Sequence, residues 1–296
     1  MSLTPPFAPP FIRVVEHVDR RILGVFQLVD ATTELPIVTP ARIEVRGASL
    51  GSGAEIPFAE GTIEMGQTRS GFWAIKRAPF FDEYAATFEN PPTPPELQND
   101  ALRLRIAVVN ARPHYLPQEF RFDLPRDLVN RDIFRPVRVP LFRAPSAPVQ
   151  DGWAILRVRV ESAQHDPLGA VLVRVLRDGA SANALPIGQG MSEWRDRLSG
   201  EALVAVPNIA RFRAREEDGG EVITRVQEIQ FEIVRDPVFS AAQNQFPDAA
   251  RLVAGTANGL IKLRSDSAPG PALGVTRPLP VEISAGQELT VGLTTP

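Results

Sequence analysis

Apolar and polar residues alternate along this chain in short runs, with the two-residue period of half-buried strands. The alternation is regular in Arg42-Ile-Glu-Val-Arg46, Leu102-Arg-Leu-Arg-Ile106, Glu119-Phe-Arg-Phe-Asp-Leu124 and Glu228-Ile-Gln-Phe-Glu-Ile-Val234. Runs at 11–18, 22–29, 137–142, 153–160, 170–176, 259–264, 279–284 and 289–293 predict further strands, with short ones at 62–65 and 72–75. The last two long runs flank Ala285-Gly286 and are expected to close the chain as a hairpin or paired strands. Arg211–Arg215 and Val222–Val226 flank the polar loop Glu216-Glu-Asp-Gly-Gly-Glu221, which predicts another hairpin. Residues 47–60 are rich in Gly and Ser and read as loop. Helical character is confined to one turn at 125–130, a turn or irregular loop at 192–198, and part of 239–252.

One pattern recurs. Leu198-Ser-Gly-Glu-Ala-Leu-Val-Ala-Val-Pro-Asn-Ile209 is a turn, a strand and a Pro-Asn break, and Arg69-Ser-Gly-Phe-Trp-Ala-Ile-Lys76 is a shorter version of it. Around these, Gly24–Asp30 corresponds to Leu156–Glu161, and Leu35-Pro36 to Pro167-Leu168. Pro113-His-Tyr115 likewise corresponds to Pro237-Val-Phe239. The offset stays near ~130 residues, a whole-domain period rather than a solenoid repeat. The organisation expected is an extended N-terminal arm at 1–10, a β-sandwich domain at 11–143, a linker at 144–150 and a second β-sandwich domain at 151–296.

In the second half, Ile155-Leu-Arg-Val-Arg-Val160, His165-Asp-Pro-Leu-Gly-Ala-Val-Leu-Val-Arg-Val175 and Ser199-Gly-Glu-Ala-Leu-Val-Ala-Val206 resemble the carboxypeptidase-regulatory-like, or transthyretin-like, domains. Pro280-Val-Glu-Ile-Ser-Ala-Gly-Gln-Glu-Leu-Thr-Val291 is similar to that family's last strands. The likeness covers about 153–293 and, more loosely, 12–143, where Ile37-Val-Thr-Pro-Ala41 replaces the Gly-Ala after the turn. It implies an all-β fold of two Ig-like (transthyretin-like) β-sandwich domains in tandem with long Pro-rich loops. It also implies an accessory or binding role, and it brings no catalytic residues.

Composition narrows the function classes. Twenty-nine prolines in 296 residues cannot sit inside helices and suit strand starts, edges and loops. The net charge is −3 and no basic stripe stands out, which argues against nucleic acid as a partner. With no cysteine there is neither a disulfide framework nor a thiolate metal site. Residues 1–10 lack the pattern of a signal peptide and no apolar run spans a membrane, so a cytoplasmic protein is expected, one that could be incorporated into a released particle.

Candidate chemistry is sparse. His17, His114 and His165 have no metal-ligand spacing, and the acidic clusters Asp82-Glu83 and Glu216–Asp218 lack calcium-loop spacing. Gly188-Gln-Gly190 lacks the remaining glycine and the lysine of a phosphate loop, and neither Ser-Gly pair sits in a nucleophile elbow. No catalytic, metal or cofactor site is therefore expected. The candidate interaction residues are Phe7 in the arm, the cluster Phe72, Trp73, Phe80, Phe81 and Tyr84, and Trp194 as an exposed anchor in a polar loop. The aromatic cluster serves either as core or as a contact face. The expected function is a non-catalytic structural or adaptor protein that binds other protein subunits in an oligomeric assembly, such as a phage tail or a tail-like contractile injection system. The alternatives are a carbohydrate- or surface-binding module, with a glycan as partner, and an accessory domain of a hydrolase.

Overall fold

The computed structural model describes residues 22–38, 40–50, 56, 62–79, 81, 102–111, 114–124, 135–181, 184–195, 199–209, 211–213, 222–224, 226–239, 245–255, 259–266 and 273–296. The arm, the run at 11–18, the turn at 125–130, both acidic clusters and His17 lie outside these residues, as do Phe7, Phe80 and Tyr84.

Seven strands make up the first half: β1 (Gly24–Asp30), β2 (Arg42–Leu50), β3 (Glu64–Gln67), β4 (Phe72–Arg77), β5 (Leu102–Asn110), β6 (Gln118–Leu124) and β7 (Val137–Leu141). They form two sheets, ordered β3-β4-β1-β7 and β2-β5-β6. Alternation assigns the faces. Leu102, Leu104, Ile106 and Val108 of β5 and Phe120, Phe122 and Leu124 of β6 are buried, while Arg105 and Arg121 point to solvent. The buried faces of the two sheets share one core with Phe26, Leu28, Ile75, Val139 and Leu141, as in a β-sandwich. The Phe26 ring meets Phe120 edge-on at 5.1 Å and Phe122 at 5.8 Å. Gly24 allows this approach, because a Cβ there would lie 2.6 Å from the Phe122 ring.

The second half contains β8 (Ala154–Glu161), β9 (Leu172–Arg177), β10 (Gly188–Met191), β11 (Glu201–Val206), β12 (Arg211–Arg213), β13 (Val222–Thr224) and β14 (Val226–Arg235). These are followed by the helix α1 (Ala249–Ala254), then β15 (Ile261–Arg264), β16 (Gly274–Val275), β17 (Val281–Ser284) and β18 (Glu288–Thr294). Nine of its strands form one sheet in the order β15-β14-β9-β10-β11-β8-β18-β16, with β17 also on β14. Val158 of β8, Phe231 of β14, Ile283 of β17 and Val291 of β18 lie in the same core. The sheet therefore curls until its two ends share one interior. β12 and β13 pair only with each other, as the hairpin predicted from sequence.

The two halves follow one pairing plan. β1 lies between antiparallel β4 and parallel β7, and β8 lies between antiparallel β11 and parallel β18. β2 pairs β5, which pairs β6, and β9 pairs β14, which pairs β15. After the first strand of each copy, a turn with one positive-φ residue, Glu34 or His165, leads to an isolated bridge, Val29 to Pro36 or Glu161 to Pro167. The Ser-Gly turns precede β4 and β11, with Gly71 at φ 82° and Gly200 at φ 86°, which glycine adopts without strain. Among the described residues, the second half adds pairings that the first lacks: β9 pairs β10, joining what remain two separate sheets in the first half, β17 adds to β14 and β16 to β18, and β12 pairs β13.

Several expectations need correction. β2 runs on through Gly47 to Leu50, with a bulge at Arg46 and Gly47 paired to Arg105, so the loop begins later than Gly47. Gly188-Gln-Gly190 belongs to strand β10, where a Cβ on Gly190 would sit 2.3 Å from the Leu203 carbonyl oxygen. Its glycines serve close strand approach. Among the described residues of 239–252, helix is found only from Ala249, in a six-residue helix that runs on to Ala254, capped by Asp248 and ended by Gly255. β17 and β18 do not pair with each other; β17 joins β14 and β18 joins β8.

Candidate functional site

The two halves meet through a third apolar cluster. Leu116, Phe142 and Ala144 pack against Leu172, Met191, Trp194 and Val234, and α1 closes the cluster with Ala249 and Leu252. The 144–150 segment is itself packed, with Ala147 lying on Trp153, Ile155, Leu203 and Ala205. The outer face of the second sheet is thus partly covered by the first half and by the connection between them.

Two polar clusters reinforce this junction. Asp30, 3% exposed at the end of β1, accepts from the Thr32 and Thr33 amides through Oδ1 at 2.8 and 3.1 Å. Its Oδ2 accepts from the Tyr115 hydroxyl at 2.8 Å and pairs with Arg143 Nη2 at 2.7 Å. Arg143 also donates to the Pro148 carbonyl and lies over the Trp153 ring at 5.0 Å. Burial, then the bond to Asp30, pushes the Tyr115 hydroxyl well above its ordinary range. At the other cluster, the Glu119 amide donates to the Pro247 carbonyl at 2.9 Å, and Arg121 lies 3.5 Å from Asp248. Burial raises the Glu119 carboxyl above the usual glutamate value; Asp248 adds to the rise, while Arg105, Arg121 and Arg46 oppose it.

Beside the junction runs a groove. Its largest section, about 680 Å³, lies between the Ala31–Glu34 turn, residues 184–189 and the end of α1. The floor is a cross-strand row: the pairing sets Gln189 opposite Arg174 and Arg174 opposite Glu232. Glu232 is buried, with Arg174 Nη1 at 2.9 Å and Lys262 Nζ at 3.1 Å. Arg174 is held further by the Val253 carbonyl of α1. A second section of about 300 Å³ shares Ile187 and Asn208 with the first and adds Val206, Pro207 and Ile209. Asn208, in the left-handed conformation at φ 63°, turns the chain there, at the Pro-Asn break. A third section of about 320 Å³ shares Gln227 with the second and is lined by Asp178, Val226, Glu228 and Glu282.

The described members of the sequence-predicted set, Phe72, Trp73, Phe81 and Trp194, do not line this groove. Phe81 is fully buried, and Phe72 and Trp73 are half-buried, the Trp73 ring stacking at 6.2 Å on the buried Phe26. Trp194 is 5% exposed and meets Phe239 edge-on, so it is a junction residue instead of the exposed anchor expected. The reason is local. Ser192 bonds Leu168 and Val171, Glu193 accepts from the Trp194 and Arg195 amides, and Gly169 leaves room for Trp194. His165 pairs with Glu161 at 3.2 Å, and no group of metal-competent side chains occurs among the described residues. Sequence reading missed Arg174, Glu232, Lys262 and Glu282. Their only signal was a charged residue on the outward phase of otherwise apolar strands. No described helix is long and apolar enough to cross a membrane. No protein-family model, curated protein or solved structure matches this chain.

Proposed function

We propose that the chain is a non-catalytic structural adaptor, two transthyretin-like β-sandwich domains in tandem, that binds neighbouring protein subunits of a larger assembly. The observation that carries this reading is the junction. An apolar cluster and two polar clusters hold the copies of one pairing plan together, and a groove is left open beside them. Leu185, 89% exposed on the groove rim, together with exposed Leu35 and Val38, offers apolar surface of the kind that interfaces cover. A cytoplasmically made, phage-tail-like contractile particle is the setting we assign, by analogy of fold class alone. The glycan reading is disfavoured because Phe81 is buried and Trp73 stacks on the core, which leaves no flat aromatic platform among the described residues.

A photo-reactive amino acid placed at Leu185, in protein expressed in its source cells, tests the proposal. The expected result is cross-linked product with other protein subunits and elution of the chain far above the mass of one copy. Elution as a single copy without cross-links would overturn it.

A further inference from the structure

Resting on the adaptor reading, the geometry points to one occupant for the groove: an extended segment of a partner protein carrying a carboxylate and a basic side chain about four residues apart. The groove is electrically bipolar. At the junction end Arg174 and Lys262 face the single carboxylate of Glu232, leaving one positive charge over. Arg174 is already fixed by Glu232 and the Val253 carbonyl, so Lys262, with a side chain 38% exposed, is the group free to turn towards a ligand. Glu34 on the rim does not cancel this charge, because it is engaged by Arg138.

The far end has the opposite sign. Glu228 on β14 and Glu282 on β17 stand directly opposite each other in the strand pairing, both exposed, and Asp178 lines the same hollow. Among the described residues neither glutamate has a cationic partner, and Asp178 takes only the Gln230 amide. Like charges set opposite each other across two strands oppose pairing, and a basic side chain arriving from outside would relieve them. The middle of the groove offers half-buried apolar surface at Ile187, Pro207 and Ile209, on which alternate side chains of a strand could rest; exposed Arg177 and half-buried Gln227 also line it, and Arg177 offsets only one of the three carboxylates at the far end. Along β9, Arg174 and Asp178 are four residues apart, a rise of roughly 13 Å, and four residues of extended ligand span the same distance.

Lysine occurs only at Lys76 and Lys262, so acetylation by an amine reagent reads the groove with an internal control. The probes are capped peptides Glu-Thr-Val-Thr-Arg and its reverse, with Thr-Glu-Arg-Val-Thr as the matched control. Mass spectrometry follows both lysines in the full chain at low salt. One spaced peptide should slow Lys262 acetylation about tenfold near saturation. Lys76 should not change, and the control should protect little. Glu282→Gln, at an exposed position, should weaken that protection about fivefold with the circular-dichroism spectrum unchanged. Equal protection by spaced and control peptides, or none up to about 1 mM, would overturn the inference. If that happens while Leu185 cross-links persist, the adaptor reading stands and only the groove's occupant is wrong. Protection without cross-links or assembly would overturn the adaptor reading and leave the groove as a peptide site.

Discussion

Replacing Asp30 with alanine should be among the most damaging single changes at the junction. Asp30 lies at the end of β1, 3% exposed, and takes bonds from two backbone amides, the Tyr115 hydroxyl and Arg143. The Arg143 side chain is itself only 13% exposed. Removing the carboxylate leaves a guanidinium in poor contact with water, and breaking a buried ion pair in this way costs about 3–5 kcal/mol. That is a large part of a typical total of about 5–15 kcal/mol. The cost should arise mainly from the orphaned charge. With Arg143→Met already in place, Asp30→Ala should therefore cost about 2 kcal/mol less than it does alone, a coupling that the double-mutant cycle isolates. Urea denaturation followed by tryptophan fluorescence measures it, since Trp153 lies 5.0 Å from the Arg143 guanidinium. A loss below about 1 kcal/mol, or additive single effects, would refute the view that this pair secures the junction. Because Thr32 and Thr33 line the groove, the same substitution should also weaken peptide protection of Lys262.

Three further outcomes are expected. Gly190→Ala should destabilise by about 1–3 kcal/mol in the same assay, because its Cβ would meet the Leu203 carbonyl at 2.3 Å and backbone cannot step aside cheaply; a neutral result would mean that β10 can shift. Glu282→Gln should stabilise by about 0.2–1 kcal/mol by removing the like charge opposite Glu228, while weakening peptide binding; a loss of stability would show that the pair is not repulsive. Glu119 is an acid whose folded pKa lies above its unfolded one, so the folded state holds a proton that the unfolded state has lost between the two values. Its contribution therefore falls as pH rises through that window. Glu119→Gln should raise the melting temperature at neutral pH and flatten the profile just above the usual glutamate range, and parallel profiles for the two proteins would contradict this.

Much of the fold was legible because a half-buried strand writes its pattern directly into sequence. Arg121, between the buried Phe120 and Phe122, shows both faces of β6, and the Ser-Gly pairs marked the start of β4 and of β11. Local pattern could not show which strands pair. β17 and β18 read as neighbours across Ala285-Gly286, yet each finds a longer partner far away in sequence, Ile229 opposite Val281 and Leu156 opposite Leu289. β10 was hidden because glycine carries no side chain to alternate. The groove was less legible still. Arg174 and Glu232 are 58 residues apart and meet only through β9–β14 registry. Trp194 misled because its polar neighbours Ser192 and Glu193 turn their side chains to buried backbone instead of to water.

The two halves share a pairing plan but present different outer surfaces. Copy one docks its β1 end on the outer face of copy two, where Leu172, Met191 and Val234 are apolar. The outward phase of β5 and β6 instead carries Arg103, Arg105, Glu119, Arg121 and Asp123; Arg103 and Asp123 pair at 2.7 Å, while Glu119 and Arg121 meet Pro247 and Asp248 of the second half. At the other end, Glu161 occupies the position of Asp30 but is met by exposed His165 and by Arg159, with no counterpart of the half-buried Tyr115 and Arg143 among the described residues. Among the described residues, the pairing that secures the junction at the end of β1 is therefore not reproduced at the end of β8. The groove beside that junction combines cationic, apolar and anionic sections on the second half, and the first half adds the Ala31–Glu34 turn as a wall of its cationic end.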